Sequence, residues 1–131
     1  MALQDYFTGL QHIGIPSKDL DKTIAFYEKL GFEQAGLFHN GENRCAFMKY
    51  NNLTIETWEG DPVTMKNGAI NHFSMNCTDV DKAFEAAKAE GFDMVNDEIQ
   101  SIPSFWDHGI RFFNILGPNH ETIEFCQILD K

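Results

Sequence analysis

Basic residues are scarce in this sequence. Its 131 residues include 10 Lys and Arg against 20 Asp and Glu, with a formal net charge of −10 and an isoelectric point near 4.7. A protein that binds nucleic acid normally presents a basic patch, and only Arg44, Arg111 and scattered lysines are available here. The charge balance therefore argues against a nucleic-acid partner, and it means that an anionic substrate would need locally placed cations.

Cysteine is also scarce, with three residues at Cys45, Cys77 and Cys126. They are odd in number, far apart and not in CxxC spacing. This pattern argues against a disulfide framework and against a zinc–thiolate cluster. We expect three free thiols that behave as small core residues.

Long apolar runs are missing, and none reaches the length that spans a bilayer. The segment Met1–Gly9 lacks the basic region followed by an apolar stretch that is typical of a signal peptide. We therefore expect a cytoplasmic location and no membrane partner. There is also no Gly-rich phosphate loop, nucleophile elbow or zinc-protease motif.

What the sequence does contain is an internal repeat. LQHIGIPSKDLDKTIAFYEKLGFE, from Leu10 to Glu33, aligns without a gap on INHFSMNCTDVDKAFEAAKAEGFD, from Ile70 to Asp93. His12 falls on His72 in this alignment. Because a repeat determines the architecture of a chain, it is the first feature to interpret.

A second pair of segments matches later in each half. NNLTIETWE begins at Asn51 and NHETIEFCQ begins at Asn119, so that Thr-Ile-Glu falls on Thr-Ile-Glu. The larger separation of this second pair implies a longer internal loop in the second half, around Ser101–Gly109. Two matches in the same order indicate duplication of one ancestral unit.

Each half has the pattern of a βαβββ unit. A short apolar segment, Gln11–Pro16 in the first half, precedes residues at helical spacing. Those residues are Leu20, Ile24 and Tyr27 in the first half, and Val80, Phe84 and Ala87 in the second. Asp19 or Ser17, and Thr78 or Asp79, can cap the helix starts, and Gly31 and Gly91 can end the helices.

Three predicted strands follow each helix. In the first half they are Glu33–Phe38, Arg44–Tyr50 and Leu53–Trp58, and in the second half Asp93–Glu98, Ile110–Leu116 and Thr122–Gln127. The length fits one domain over residues 1–131, with repeat units at about 8–60 and 68–128. The predicted fold class is α+β.

Strand periodicity places one His or one Glu on the same face at equivalent points of the repeat. These residues are His12, Glu56, His72 and Glu124. An unpaired charge is costly to bury, and a metal ion removes that cost. Two imidazoles and two carboxylates suit a first-row divalent metal, and the two carboxylates neutralise its charge. A lone strand His is more often structural and a lone strand Glu solvent-facing, but the matching across the repeat favours metal ligands.

Four other residues are candidates for substrate binding. Arg44 and Arg111 begin corresponding strands, and either could bind a substrate carboxylate through two hydrogen bonds, with a surface salt bridge as the alternative. Trp106, within Ser104-Phe105-Trp106, could belong to a lid or a dimer contact, and a plain hydrophobic anchor is equally compatible. His108 lies in a predicted loop and could line a pocket.

The sequence resembles the vicinal oxygen chelate superfamily, which includes glyoxalase I, bleomycin-resistance proteins, extradiol dioxygenases, fosfomycin-resistance enzymes and methylmalonyl-CoA epimerase. The resemblance covers roughly Leu10–Gln127. It is carried by Leu10-Gln-His-Ile-Gly-Ile, Ala25-Phe-Tyr-Glu-Lys-Leu-Gly-Phe, Ile70-Asn-His-Phe-Ser-Met and Thr122-Ile-Glu-Phe. It implies tandem βαβββ units that form a curved mixed sheet around a metal site.

By type of ligand, the pattern is most similar to that of bacterial glyoxalase I, whose order His, Glu, His, Glu falls on His12, Glu56, His72 and Glu124. The resemblance implies nickel, cobalt or zinc, with iron or manganese as alternatives, and a homodimer with the site where two halves meet, often across the dimer. It also implies proton transfer through an enediolate, with Glu124 or Glu56 as general base. The substrate would be a small α-hydroxycarbonyl compound or its thiol hemithioacetal.

The sequence departs from glyoxalase I at two points. The usual Asp-Pro-Asp-Gly turn before the last strand is Gly117-Pro118-Asn119-His120, and the cations that bind glutathione are not clearly matched. Other functions therefore stay open, namely an epimerase, a ferrous extradiol dioxygenase, or a non-catalytic ligand-binding or resistance protein. The epimerase typically has Gln at the position of Glu56, and the dioxygenases and fosfomycin enzymes use three ligands.

Overall fold

The computed structural model describes residues 2–131 and divides the chain into two compact units, Met1–Val63 and Thr64–Lys131. Each unit contains one α-helix and one mixed sheet, which confirms the predicted α+β class. The predicted repeat units of about 8–60 and 68–128 fall within these bounds. The assignment of both units to one domain stays a prediction.

Unit 1 has the predicted βαβββ order. A 3₁₀ turn at Leu3–Tyr6 precedes β1 (Ile13–Pro16), α1 (Leu20–Lys29), β2 (Glu33–Asn40), β3 (Asn43–Tyr50) and β4 (Leu53–Trp58). The sheet order is β1-β4-β3-β2, with β1 parallel to β4 and the other neighbours antiparallel.

Unit 2 repeats this order with one additional short strand. Its elements are β5 (Phe73–Asn76), α2 (Val80–Ala89), β6 (Asp93–Met94), β7 (Gln100–Ile102), β8 (Ile110–Leu116) and β9 (Thr122–Ile128). The sheet order is β5-β9-β8-β6, and β7 also pairs with β8. β5 and β9 are parallel, as β1 and β4 are in unit 1.

The prediction of one strand over Asp93–Glu98 is wrong, because the chain leaves the sheet after Met94 and returns only at Gln100. The side chain of Asn96 explains the break. Its Oδ1 accepts from the backbone N–H of Asn114 at 2.8 Å, in the place where a strand carbonyl would accept. Asn side chains compete with the backbone in this way, and they are disfavoured inside strands.

Both helices have the predicted ends. The carboxylate of Asp19 accepts from Lys22 N at 3.2 Å, and that of Asp79 accepts from Lys82 N at 3.0 Å. Gly31 and Gly91, just beyond the helices, have φ of +108° and +80°, a conformation that residues with a Cβ rarely adopt.

The residues predicted at helical spacing are buried, except Ile24, which is only partly buried. Its neighbour Thr23 is fully buried, because its hydroxyl accepts from Ser17 at 2.8 Å and so needs no water. Large, fully buried side chains include Tyr27 and Met48 in unit 1 and Phe113 in unit 2, where the Phe113 ring stacks on Phe125. Each helix covers one face of its sheet, and the opposite face carries the His and Glu residues.

Within residues 2–131, no helix has the length and apolar character that crossing a membrane requires. The three cysteines are free, as expected, but they are only partly buried and do not belong to the core as predicted.

Candidate functional site

One His and one Glu meet in each unit. The register of β1 with β4 places Gly14 beside Glu56, and His12 lies two residues earlier on the same face. As a result, His12 Nε2 is 3.3 Å from Glu56 Oε1. The register of β5 with β9 places Ser74 beside Glu124 in the same way, and His72 Nε2 is 3.2 Å from Glu124 Oε2.

The residue before each histidine orients the imidazole. His12 Nδ1 donates to Gln11 Oε1, and His72 Nδ1 donates to Asn71 Oδ1 at 2.9 Å. Such a bond to the far nitrogen holds the ring in place and presents Nε2, which is the usual arrangement of metal-binding histidines. Neither Gln11 nor Asn71 was predicted from the sequence as a site residue. The detectable signal was the amide side chain that precedes each histidine in the repeat.

Each glutamate accepts a further hydrogen bond. Cys45 Sγ donates to Glu56 Oε2 at 3.5 Å, and Ser74 Oγ donates to Glu124 Oε1 at 2.9 Å. Burial, followed by the bond to Glu56, raises the pKa of the Cys45 thiol to about 11. The thiol therefore remains a protonated donor at neutral pH and supports the carboxylate, whereas a metal ligand would have to be a thiolate.

The donor atoms of each pair fit a divalent metal ion. With Nδ1 donating, a neutral imidazole presents a lone pair at Nε2, and this lone pair faces a carboxylate oxygen, which is also an acceptor. Two acceptors at such short distance repel unless a proton or a cation lies between them. Glu56 and Glu124 are also only 28% and 14% exposed, so water solvates their charge poorly. Imidazole nitrogen and carboxylate oxygen are ligands that zinc, nickel and cobalt accept.

The four predicted ligands meet as two pairs. Among residues 2–131, no group of three or more His, Cys, Asp or Glu side chains is placed so that it could hold a metal ion. The centre with four ligands therefore stays a prediction, and each observed pair would supply half of it.

Unit 2 contains a cleft of about 540 Å³ beside its pair, and His72 and Glu124 both line it. One wall is apolar and is formed by Val95, Ile102, Phe105, Ile110 and Phe112. The polar part of the lining includes three asparagines, Asn67, Asn71 and Asn114. Asn67 and Asn114 were not predicted from the sequence, since nothing in their spacing along the chain indicates that they converge.

Arg44 and Arg111 are paired with carboxylates. Arg44 binds Asp21 at 3.0 Å and Glu59 at 3.1 Å, and Arg111 binds Asp81 at 2.7 Å. Hydrogen bonds from Arg44 lower the pKa of Glu59, and those from Arg111 lower the pKa of Asp81. Both arginines therefore form surface salt bridges, which were the predicted alternative to substrate binding. Substrate binding by either arginine stays a prediction.

Trp106 and His108 lie in the loop between β7 and β8. Trp106 is 68% exposed and has φ of +58°. Among the described residues of this loop, Phe105 lines the cleft, whereas Trp106 and His108 do not. Their role in substrate binding also stays a prediction.

Three comparisons relate this chain to known proteins. The family model described as Glyoxalase/Bleomycin resistance protein/Dioxygenase superfamily matches residues 11–112, a range that includes His12, Glu56 and His72. The uncharacterized protein YwbC of Bacillus subtilis (strain 168) is 29% identical over 125 residues, covering 90% of this chain and 96% of that protein.

Solved structures with a similar fold include the following two. The glyoxalase family protein from Enterococcus faecalis aligns with a TM-score of 0.75 at 18% identity, covering 92% of this chain and 98% of that one. The fosfomycin resistance protein FosX from Listeria monocytogenes, complexed with Mn(II) and sulfate, aligns with a TM-score of 0.71 at 22% identity, covering 95% of each chain.

Proposed function

Because the chain belongs to the glyoxalase/bleomycin resistance protein/dioxygenase superfamily, we propose that it is a metal-dependent lyase or isomerase that moves a proton next to a carbonyl group. The observation that carries the proposal is the matched pair of histidine and glutamate in each unit, with Nε2 facing a carboxylate oxygen in both. The proposed substrate is a small α-hydroxycarbonyl compound or its thiol hemithioacetal.

The proposed metal ligands are His12, Glu56, His72 and Glu124. We propose nickel, cobalt or zinc as the metal, with iron or manganese as alternatives. When bound, the metal would act as a Lewis acid that stabilises negative charge on the substrate oxygens. Gln11 and Asn71 would hold the imidazoles in the orientation for binding.

Glu124 is our candidate for the general base. It lines the cleft of unit 2, and Ser74 donates to one of its oxygens while the other faces His72. A carboxylate held in this way can take a proton from one substrate carbon and return it to the neighbouring carbon. Glu56 has the corresponding position in unit 1 but lines no part of this cleft, and it is the alternative base.

The direct test of the proposed function is solvent exchange of a substrate proton. Metal-loaded protein in heavy water is expected to introduce deuterium next to the carbonyl, as read by NMR. The methylglyoxal–glutathione hemithioacetal and small hydroxyketones are the first compounds to test. If none of them exchanges while an aromatic diol consumes oxygen with the ferrous protein, the chain is a dioxygenase and our proposal is wrong.

We also propose that the chain forms a homodimer, in which a pair from one copy and a pair from the other complete each metal site. The support is the resemblance described above, together with the division of the four proposed ligands into one His–Glu pair in each unit. Light scattering should give a mass near twice the 15.0 kDa of the chain. A stable monomer that binds a full equivalent of metal would contradict the dimeric site.

A further inference from the structure

The asparagines of the unit 2 cleft offer both hydrogen-bond donors and an acceptor. Asn67 Oδ1 accepts from Thr122 Oγ1 at 3.0 Å, and Asn71 Oδ1 accepts from His72 Nδ1. With Oδ1 used in this way, the amide N–H groups are the donors that each residue can offer to a ligand, and no hydrogen bond from them to another described residue is observed. Asn114 instead offers a hydrogen-bond acceptor. Its Nδ2 donates to Asn96 Oδ1 at 3.1 Å, and no described residue donates to its Oδ1.

The charge of the cleft disfavours an anion. Glu124 and His72 are its ionisable lining residues, and neither Lys nor Arg belongs to the lining among residues 2–131. Arg111, the guanidinium that this unit carries, is bound to Asp81. If the proposed metal site is correct, the carboxylates of Glu56 and Glu124 balance the two charges of the metal. No excess positive charge would then remain to attract an anionic ligand.

The two units differ at the position opposite the ligand glutamate. In unit 2 the β8–β9 register places Asn114 across from Glu124, and in unit 1 the β3–β4 register places Phe47 across from Glu56. The Phe47 ring packs edge-on against His12, with 5.8 Å between the ring centroids. The same point of the repeat is thus apolar in unit 1, and in unit 2 it carries an amide acceptor beside the proposed base.

We propose that the unit 2 cleft selects uncharged hydroxycarbonyl compounds with an apolar substituent, and that Asn114 determines this specificity. The Oδ1 of Asn114 accepts from the substrate hydroxyl, and the amide groups of Asn67 and Asn71 donate to its oxygens. The apolar wall, which includes Phe105 and Phe112, accommodates the substituent. The inference rests on the proposed function for the identity of the carbonyl group, and it favours simple hydroxycarbonyl compounds over glutathione adducts, which carry two carboxylates.

The test uses two probes of the same carbon skeleton. Mandelamide carries a neutral amide where mandelate carries a carboxylate. Both are titrated by NMR into the full chain, with and without metal. Mandelamide is expected to bind at least about tenfold more tightly than mandelate, a difference of about 1.4 kcal/mol. Equal binding, tighter binding of mandelate, or no binding of either probe would overturn the inference.

The role of Asn114 is tested with Asn114→Leu, which preserves the approximate size and removes the acceptor. Mandelamide binding is expected to weaken about tenfold, the typical effect of one lost hydrogen bond. Asn40→Leu, at the exposed end of β2, is the matched control and should leave both affinities unchanged. If Asn114→Leu binds mandelamide as well as the parent, Asn114 is not the specificity residue. If Asn114→Leu does not fold, the relative affinity of the parent protein for the two probes still tests the proposed specificity of the cleft.

The outcomes separate this inference from the proposed function. Metal binding and proton exchange without a preference for mandelamide would leave the function standing and overturn the inference. A preference for mandelamide in a protein that takes up no metal would support the uncharged specificity and contradict the metal-dependent function.

Discussion

His72→Ala is expected to abolish stoichiometric metal uptake. The substitution removes one of four proposed ligands and leaves Glu124 without the nitrogen that faces it at 3.2 Å. A remaining metal would then lie beside an incomplete set of donors. Elemental analysis of protein purified without a metal-affinity tag measures the effect.

Two further variants make this test specific. His39→Ala removes an exposed histidine on β2 and should leave the metal content unchanged. Asn71→Ala removes the acceptor that orients His72, and the expected loss of metal affinity is about 10–100-fold. Metal binding by His72→Ala as tight as that of the parent protein would show that the ligand assignment is wrong.

Glu124→Gln is expected to retain much of the metal and to lower turnover by a factor of about 10²–10⁴. Glutamine preserves the shape of the side chain and a weak oxygen ligand, but it cannot take a proton. The loss should appear in kcat, because the substrate would still bind in the cleft through its other contacts. Deuterium exchange and metal content, measured on the same preparation, separate loss of the base from loss of the metal.

Glu42→Gln, in the exposed turn between β2 and β3, is the matched control for the lost charge and should keep full turnover. Glu56→Gln tests the alternative base in unit 1. If Glu124→Gln keeps turnover within a few fold of the parent and Glu56→Gln shows a large loss, then Glu56 is the general base.

Much of the fold could be predicted from local patterns. Helix spacing, the caps at Asp19 and Asp79, and the glycines at 31 and 91 act within a few residues of each other, so the sequence contains the whole signal. Each weak local pattern also occurs twice in the same order, and this repetition strengthens the prediction of two equivalent units. The alternation of side chains along a strand is also local, and it placed His12 and Glu56 on a common face before any pairing was known.

Other features depend on contacts between distant parts of the chain. The pairing of Arg111 with Asp81 joins a strand to a helix 30 residues away. The break after Met94 depends on a bond that the backbone N–H of Asn114, on the neighbouring strand, donates to Asn96. Sequence patterns predict which face a residue occupies but not which residue lies opposite it. The strand register alone brought Asn114 beside Glu124 and Phe47 beside Glu56, and this difference between the two units follows from tertiary structure.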